Sequence, residues 1–259
     1  MISTAEYKAY VGETTTTYDT LIATLISTAQ AMIERYCQRT FASASYREIH
    51  LGSDVILKHT PVTAVSKVGI GQDEGLYIRN SSTDAYSATV RVTDTSIQLV
   101  VLGGDNSDDS TLTLASYATM TALKTAIEAL DKGWVVNTSD IWAASELYPT
   151  GIGISAMSGL SLYRPYELSC NYQLDAASGV VSLPTDDISA ISYTAGYATI
   201  PADLKQICID VVKSMFDSRG KDTTLQSEKI GDYAYSLGSG QGVLPDRILS
   251  SLSSWRRYV

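Results

Sequence analysis

The sequence predicts an α+β protein. A helical core is built on two long amphipathic helices, with β-strands attached, a C-terminal arm ending in a helix, and an inserted β-rich module that carries one helix. Three observations predict this. An apolar stripe at helical spacing follows Pro201, a second follows Asp19, and most of the chain between them alternates as strands do. The two stripes lie far apart and each needs a cover, so packing them together is the economical solution.

The stretch from Asp187 to Gly220 marks the clearest boundary. Ile191-Ser192-Tyr193-Thr194-Ala195-Gly196-Tyr197 reads as a strand ending in a glycine turn. Pro201 suits a first helical turn, where its missing N–H costs nothing. Leu204, Ile207, Cys208, Val211, Val212, Met215 and Phe216 then share one face, and Gly220 supplies the stop. The expected helix is Pro201–Arg219. The N-terminal helix, Asp19–Arg39, takes Asp19 as its N-cap and lines up Leu21, Ile22, Leu25, Ile26, Ala29, Ile33, Tyr36 and Cys37.

Between the helices the pattern is mostly β. Tyr46–Leu51, Val55–Lys58 and Pro61–Val68 read as three strands, the first two separated by a Gly52-Ser53-Asp54 turn. From Gly71 to Met157 the character changes to a glycine-bounded module. It contains strand-like runs at Val90–Val92, Thr95–Leu102 and Thr111–Leu114, and a helix with Met120, Leu123, Ile127 and Leu130 on one face. Strands at Tyr163–Tyr172, Val180–Leu183 and Ile188–Tyr193 are expected to rejoin the first set. The expected domains are therefore 1–70 with 158–259, including the arm 220–259, and an insert at 71–157.

Composition narrows the function. The 259 residues carry a formal charge of −9, which counts against a general nucleic-acid-binding surface but does not exclude a negatively charged channel through which DNA slides without sticking. The chain has 17 Tyr against 2 Phe, a bias that suits edge strands and contact surfaces. Cys37, Cys170 and Cys208 lack metal-ligand spacing, and Cys37 and Cys208 sit on apolar helix faces, so buried free thiols in a reducing cytoplasm are expected. The N-terminus lacks the basic and apolar regions of a signal peptide, and no apolar run approaches the roughly 20 residues that span a bilayer.

Chemical motifs are sparse. Gly238-Ser239-Gly240-Gln241-Gly242 lacks the Lys-Ser/Thr of a phosphate loop and reads as a hinge. His50 and His59 have no ligand partners at zinc spacing. Asp105, Asn106, Asp108 and Asp109 lack the glycine and closing glutamate of a calcium loop, so a solvated hairpin tip is expected. Nucleophile, base and oxyanion donors converge nowhere, so no catalytic residue, metal or cofactor is assigned.

The C-terminus carries the functional signal. Gly220 to Gly242 is rich in Gly, Ser, Thr and charge, and Pro245 opens a short helix with Ile248, Leu249, Leu252 and Trp255 on one face. The chain ends Trp255-Arg256-Arg257-Tyr258-Val259, and with Arg247 this makes a basic end on an acidic protein, suited to an acidic partner. Trp, Tyr and Arg are enriched at interfaces.

Several stretches together resemble the head–tail connector, or adaptor, proteins of long-tailed bacteriophages. They are Glu34-Arg35-Tyr36-Cys37-Gln38-Arg39-Thr40-Phe41 ending the first helix, His59-Thr60-Pro61-Val62 before a strand, and Tyr193-Thr194-Ala195-Gly196-Tyr197 with Pro201-Ala202-Asp203-Leu204. Ser227-Glu228-Lys229-Ile230-Gly231-Asp232-Tyr233-Ala234-Tyr235-Ser236 before Leu244-Pro245 completes the set. The resemblance covers about 1–70 and 160–259. It implies a virion protein that forms a dodecameric ring in the neck, between the portal protein above and the tail terminator or stopper below, with genomic DNA crossing its channel. On this view Arg247, Leu252, Trp255, Arg256, Arg257 and Tyr258 dock on the portal, with the tail ordering when it arrives there. Tyr233 and Tyr235 form an arm onto a neighbouring subunit. The alternative is a glycan- or host-surface-binding protein, with Trp134, Trp142 and Tyr148 of the insert as aromatic platforms.

Overall fold

The computed structural model describes residues 1–168, 171–219, 227–230, 233–236 and 246–257. Its helices are α1 (Thr4–Val11), α2 (Asp19–Cys37), α3 (Met120–Glu128), α4 (Ala202–Asp217) and α5 (Asp246–Ser253). Its strands are β1 (Ala44–Leu51), β2 (Asp54–Ile56), β3 (Val62–Ile70), β4 (Asp73–Asn80), β5 (Ser87–Val92), β6 (Ser96–Leu102), β7 (Asp108–Thr113) and β8 (Trp134–Asn137). They continue with β9 (Ile154–Ser155), β10 (Leu160–Arg164), β11 (Glu167–Leu168), β12 (Gln173–Asp175), β13 (Val180–Ser182), β14 (Ile188–Ala195), β15 (Ser227–Ile230) and β16 (Tyr233–Ser236). The protein is α+β and divides into two compact units: a helical one of Met1–Ala44, His59–Pro61 and Ala195–Val259, and a β-rich one of Ser45–Lys58 and Val62–Thr194.

In the helical unit α2 packs against α4, as their stripes require. Ile22, Ile26, Ala29, Ile33 and Cys37 of α2 share a core with Leu204, Cys208, Ile209, Val211 and Val212 of α4. Asp19 is the first helical residue rather than the cap, and Tyr18 takes the cap position without a side-chain bond. The helix stops two residues short of the expected Arg39, because Gln38 adopts a left-handed conformation at φ +54 and Arg39 N–H turns back to Glu34 O at 3.1 Å. Pro201 caps α4 from outside its first turn, and α4 ends at Asp217 with Ser218 as its C-cap; the expected stop, Gly220, lies outside the described residues. The first helix, α1, is absent from the sequence expectations. Its signature is a capping box, with Ser3 Oγ accepting from Glu6 N–H and Glu6 carboxylate accepting from Ser3 N–H. The Lys205 ammonium, with Ser3, holds the Glu6 carboxyl down at about 2 and ties α1 to α4.

The β-rich unit holds four sheets. One has the order β1-β14-β3-β11 and another β12-β13-β2. A buried carboxylate on β1, Glu48, accepts from the Tyr193 hydroxyl on β14, from His50 Nε2 at 2.9 Å and from Lys58 N–H. Burial alone pushes this carboxyl up, but the bonds from His50, Tyr193 and Lys58 outweigh it and hold it below its ordinary value.

The other two sheets, β10-β4-β8 and β7-β6-β5-β9, share one apolar core drawn from residues between Leu76 and Leu162. Ala88, Val90 and Val92 on β5 and Ile97, Leu99 and Val101 on β6 are all buried, the period-two pattern of a half-covered sheet. α3, capped by Thr119 Oγ1, adds Met120, Leu123 and Ile127. The single strand expected over Tyr163–Tyr172 is instead two. β10 pairs with β4 and β11 with β3, and Pro165 stands between them, where its lack of an N–H breaks the ladder.

Candidate partner-docking site

The candidate site is built around α5. Its eight residues, about 12 Å of helix, are too few to stay helical in water unaided. Ile248 and Leu252 are buried in the helical unit's core and Trp255 packs against it half-exposed. Trp255 meets Phe41 and Tyr197 edge-on, each with ring centroids 6.1 Å away. Arg39 lies over the same two rings, 5.1 Å from Phe41 and 5.9 Å from Tyr197, and donates through Nη2 to Thr60 O.

The backbone locks these rings in place. Tyr197 N–H donates to Phe41 O at 2.8 Å, and Ala42 forms a parallel bridge with Tyr197. That close approach needs a glycine before Tyr197. Gly196 sits at φ +101, and a Cβ on it would stand 2.4 Å from the Ala42 carbonyl oxygen. Gly196 N–H in turn donates to Pro61 O at 2.9 Å. Arg39 to Phe41, Thr60-Pro61 and Gly196-Tyr197, distant in sequence, thus form one seat for the C-terminal helix.

The other edge of the seat is the C-terminus of α2. Tyr36 Oη donates to Leu249 O at 3.4 Å, Arg257 N–H donates to Cys37 O at 3.0 Å, and the Arg256 guanidinium lies 5.7 Å from the Tyr36 ring centroid. Cations are favoured at the carbonyl end of a helix, which gives the basic tail a role within its own chain. Cys37 lies under α5, its Sγ 3.9 Å from Leu252 O. Burial pushes the free thiols of Cys37 and Cys208 up to about 11, so both are protonated and inert at neutral pH.

The expected docking residues therefore divide. Leu252 is fully buried and roots the helix. Arg247 is 81% exposed with its guanidinium 3.8 Å from Asp210. Arg256 is exposed, Trp255 and Arg257 are half-exposed, and Tyr258 lies outside the described residues. A tail ordered only by a partner is not what is found at α5: its apolar face already has a groove in cis. Tyr233 and Tyr235 lie on β16, whose backbone pairs antiparallel with β15, opposite Ile230 and Glu228 respectively. Sequence reasoning did not single out Tyr36, Arg39, Phe41 and Tyr197 as the seat, although all four lie in the stretches that carry the family resemblance.

The aromatic platform expected on the insert does not form. Trp134 and Tyr148 are buried in the β-rich unit, and Tyr148 Oη donates to Gly71 O at 2.7 Å. Tyr148 is a core ring with a satisfied polar tip, and burial pushes its phenol up to about 12. Trp142 alone is half-exposed, beside a polar cleft of about 410 Å³, with the Arg164 guanidinium 4.1 Å from its ring centroid. Of the expected hairpin tip, Asp105 and Asn106 lie in the turn between β6 and β7, held by Asp105 N–H donating to Asp84 Oδ2 at 2.9 Å, while Asp108 and Asp109 are the first residues of β7. Among the described residues, no group of three or more His, Cys, Asp or Glu is placed to hold a metal, and no helix is long and apolar enough to cross a membrane.

No family model matches the sequence, and no curated protein matches it. Among solved structures, it is similar to a chain from the neck of an empty gene transfer agent (GTA) particle computed with C6 symmetry, at 12% identity and a TM-score of 0.43, covering 100% of this chain and 90% of that one. A chain from the virion of a native GTA particle overlaps at 11% identity and a TM-score of 0.39, with coverage of 100% and 90%. A chain from the neck of a native GTA particle computed with C12 symmetry does so at 13% and 0.36, with coverage of 99% and 88%. Overlaps this loose leave activity and partners to the residues themselves.

Proposed function

We propose that this chain is a structural protein of a phage-type virion neck: a ring-forming adaptor between the capsid portal and the tail. The observation that carries the reading is the seat. Three separated stretches that resemble the connector family meet around Trp255, so a scattered resemblance acquires one physical purpose, presenting the C-terminal helix at the surface of the helical unit. On this reading Arg247, Trp255, Arg256, Arg257 and Tyr258 face the portal, with Leu252 fixing the helix that bears them.

Tyr233 and Tyr235 add an arm to the neighbouring subunit of a dodecameric ring by strand addition. The opposite side receives the tail terminator or stopper. Genomic DNA crosses the channel unbound, which the charge of −9 favours. The protein is made in the host bacterial cytoplasm, resides in the virion neck and catalyses nothing, and 71–157 forms a module at the ring's periphery.

Negative-stain electron microscopy of the purified protein, alone and mixed with its portal, tests this. Closed rings seated on the portal are expected. The exposed substitution Arg247→Glu should leave ring formation intact and weaken seating. A monodisperse monomer that never joins a portal would overturn the reading.

A further inference from the structure

We propose that a groove between α4 and α5 is the pocket of the docking face, and that it takes a protein segment offering an apolar or aromatic side chain with an arginine or lysine within one turn of it. This rests on the docking reading above and adds the partner's chemistry. The groove encloses about 370 Å³ and has Ile207, Ile248 and Trp255 as its apolar part. That is room for one large side chain and its flank.

The rim is rich in acceptors. Asp203 and Asp210 line it from α4, Ser251 and Ser254 from the α5 side. Asp203 Oδ1 accepts from Leu204 N–H at 2.9 Å and Asp210 Oδ1 from Gln206 Nε2 at 2.9 Å, which leaves lone pairs on both carboxylates. Ser251 Oγ donates its proton to Arg247 O at 3.0 Å and Ser254 Oγ to Ser251 O at 3.3 Å, so both hydroxyls are left as acceptors. Among the described residues Arg247 is the one cation lining the groove, and it is 81% exposed and 3.8 Å from Asp210, an exposed pair that opens at little cost.

Acceptors around an apolar pocket select a donor-rich cation beside an apolar anchor, and a guanidinium fork matches the two oxygens of either carboxylate best. The docking face is therefore bipolar. Arg256 and Arg257 put positive charge at the C-terminal end of α2, while the α4 side asks for a cation from the partner. A basic tail read from sequence alone points to an acidic partner and misses this second pole.

Two synthetic hexapeptides test the proposal, one with two arginines flanking a leucine and one with glutamates in their place. Each is titrated into the ¹⁵N-labelled full chain while the Trp255 indole N–H is followed, its resonance assigned with Trp255→Phe. The arginine peptide should shift that resonance and bind at least tenfold more tightly than the glutamate peptide. Asp203→Asn with Asp210→Asn, both isosteric, should cost the arginine peptide tenfold or more and remove its salt dependence. Equal binding of the two peptides, or indifference to the double substitution, overturns the proposal. If rings still seat on the portal while the peptides are not discriminated, the groove's chemistry falls and the docking reading stands. Discrimination by rings that never seat supports the groove and sinks the docking reading.

Discussion

Replacing Trp255 with alanine should release α5 while leaving the rest of the helical unit folded. Cutting a buried aromatic to alanine costs about 3–5 kcal/mol. Trp255 is half-exposed, so about 2 kcal/mol of that applies, and its edge contacts with Phe41 and Tyr197 add roughly 0.5–1.5 kcal/mol each. These contributions overlap, and about 3 kcal/mol is a fair total. At about 1.4 kcal/mol per factor of ten, α5 should open on the order of 100-fold more often. Native-state hydrogen exchange reads such local opening directly. Amides of Ile248 to Leu252 should exchange about 100-fold faster, while those of Ile26 on α2 and Val212 on α4 barely change. The Cys37 thiol gives a second readout, since Leu252 O covers it at 3.9 Å and should leave with the helix. Unchanged protection in α5 would refute the reasoning. So would an equal loss in α2 and α4, which would make Trp255 part of the global core rather than a local clasp.

Gly196→Ala should lower the melting temperature by several degrees, because its Cβ meets the backbone carbonyl of Ala42 at 2.4 Å at a strained φ of +101, together a cost of about 1–3 kcal/mol; an unchanged calorimetric melt would count against the seat. Ile26→Asp and Val212→Asp each bury an unpaired charge between α2 and α4 and should unfold the helical unit, so soluble, folded protein from both would contradict the packing. Glu48, held below its ordinary value, contributes stability that is fully present above the unfolded carboxylate range and is lost as pH falls through the folded value. Tyr193→Phe removes one donor to that carboxylate, a loss of about 1.5–3 kcal/mol, and should move the midpoint of acid unfolding, followed by circular dichroism, to higher pH. No movement of that midpoint would mean the carboxylate does not depend on Tyr193.

The long elements were legible because period and length agree in them. The stripes of α2 and α4 each run four or more turns, and no other element explains that spacing. β5 and β6 were legible for the same reason at period two. What escaped was short or interrupted. α1 has a single buried ring, Tyr7, so its evidence lies in the Ser3–Glu6 cap rather than in periodicity. β4 hides its pattern behind Asp73, Glu74 and Gly75 at one end and Arg79 near the other, and it became a strand because β8 and β10 flank it on both sides. The strand expected over Tyr163–Tyr172 failed at Pro165, a stop that the sequence does display. Partner choice for β10 is a tertiary matter, since nothing local distinguishes pairing with β4 from pairing with the first sheet.

The site was half legible for a different reason. Trp, Tyr and Arg beside an amphipathic helix mark a place where a partner binds, but the same chemistry serves a partner in the same chain and one in another. Deciding between them needs the distance from Trp255 to Phe41 and Tyr197, and Phe41 lies more than two hundred positions away in sequence. Once cis contacts are satisfied, only what they leave over is available in trans. Leu252 and Ile248 are consumed by the core, the main-chain N–H of Arg257 is used on Cys37 O, and Arg256 sits against Tyr36. What remains on the α4 side of the helix is Arg247, the outer part of Trp255 and the acceptor rim of the groove. Folding and docking should accordingly separate by residue. Substitutions at Leu252 act on the stability of the helical unit whether or not a partner is present, and those at Arg247, Asp203 or Asp210 act on the partner while the unit's melt stays where it was.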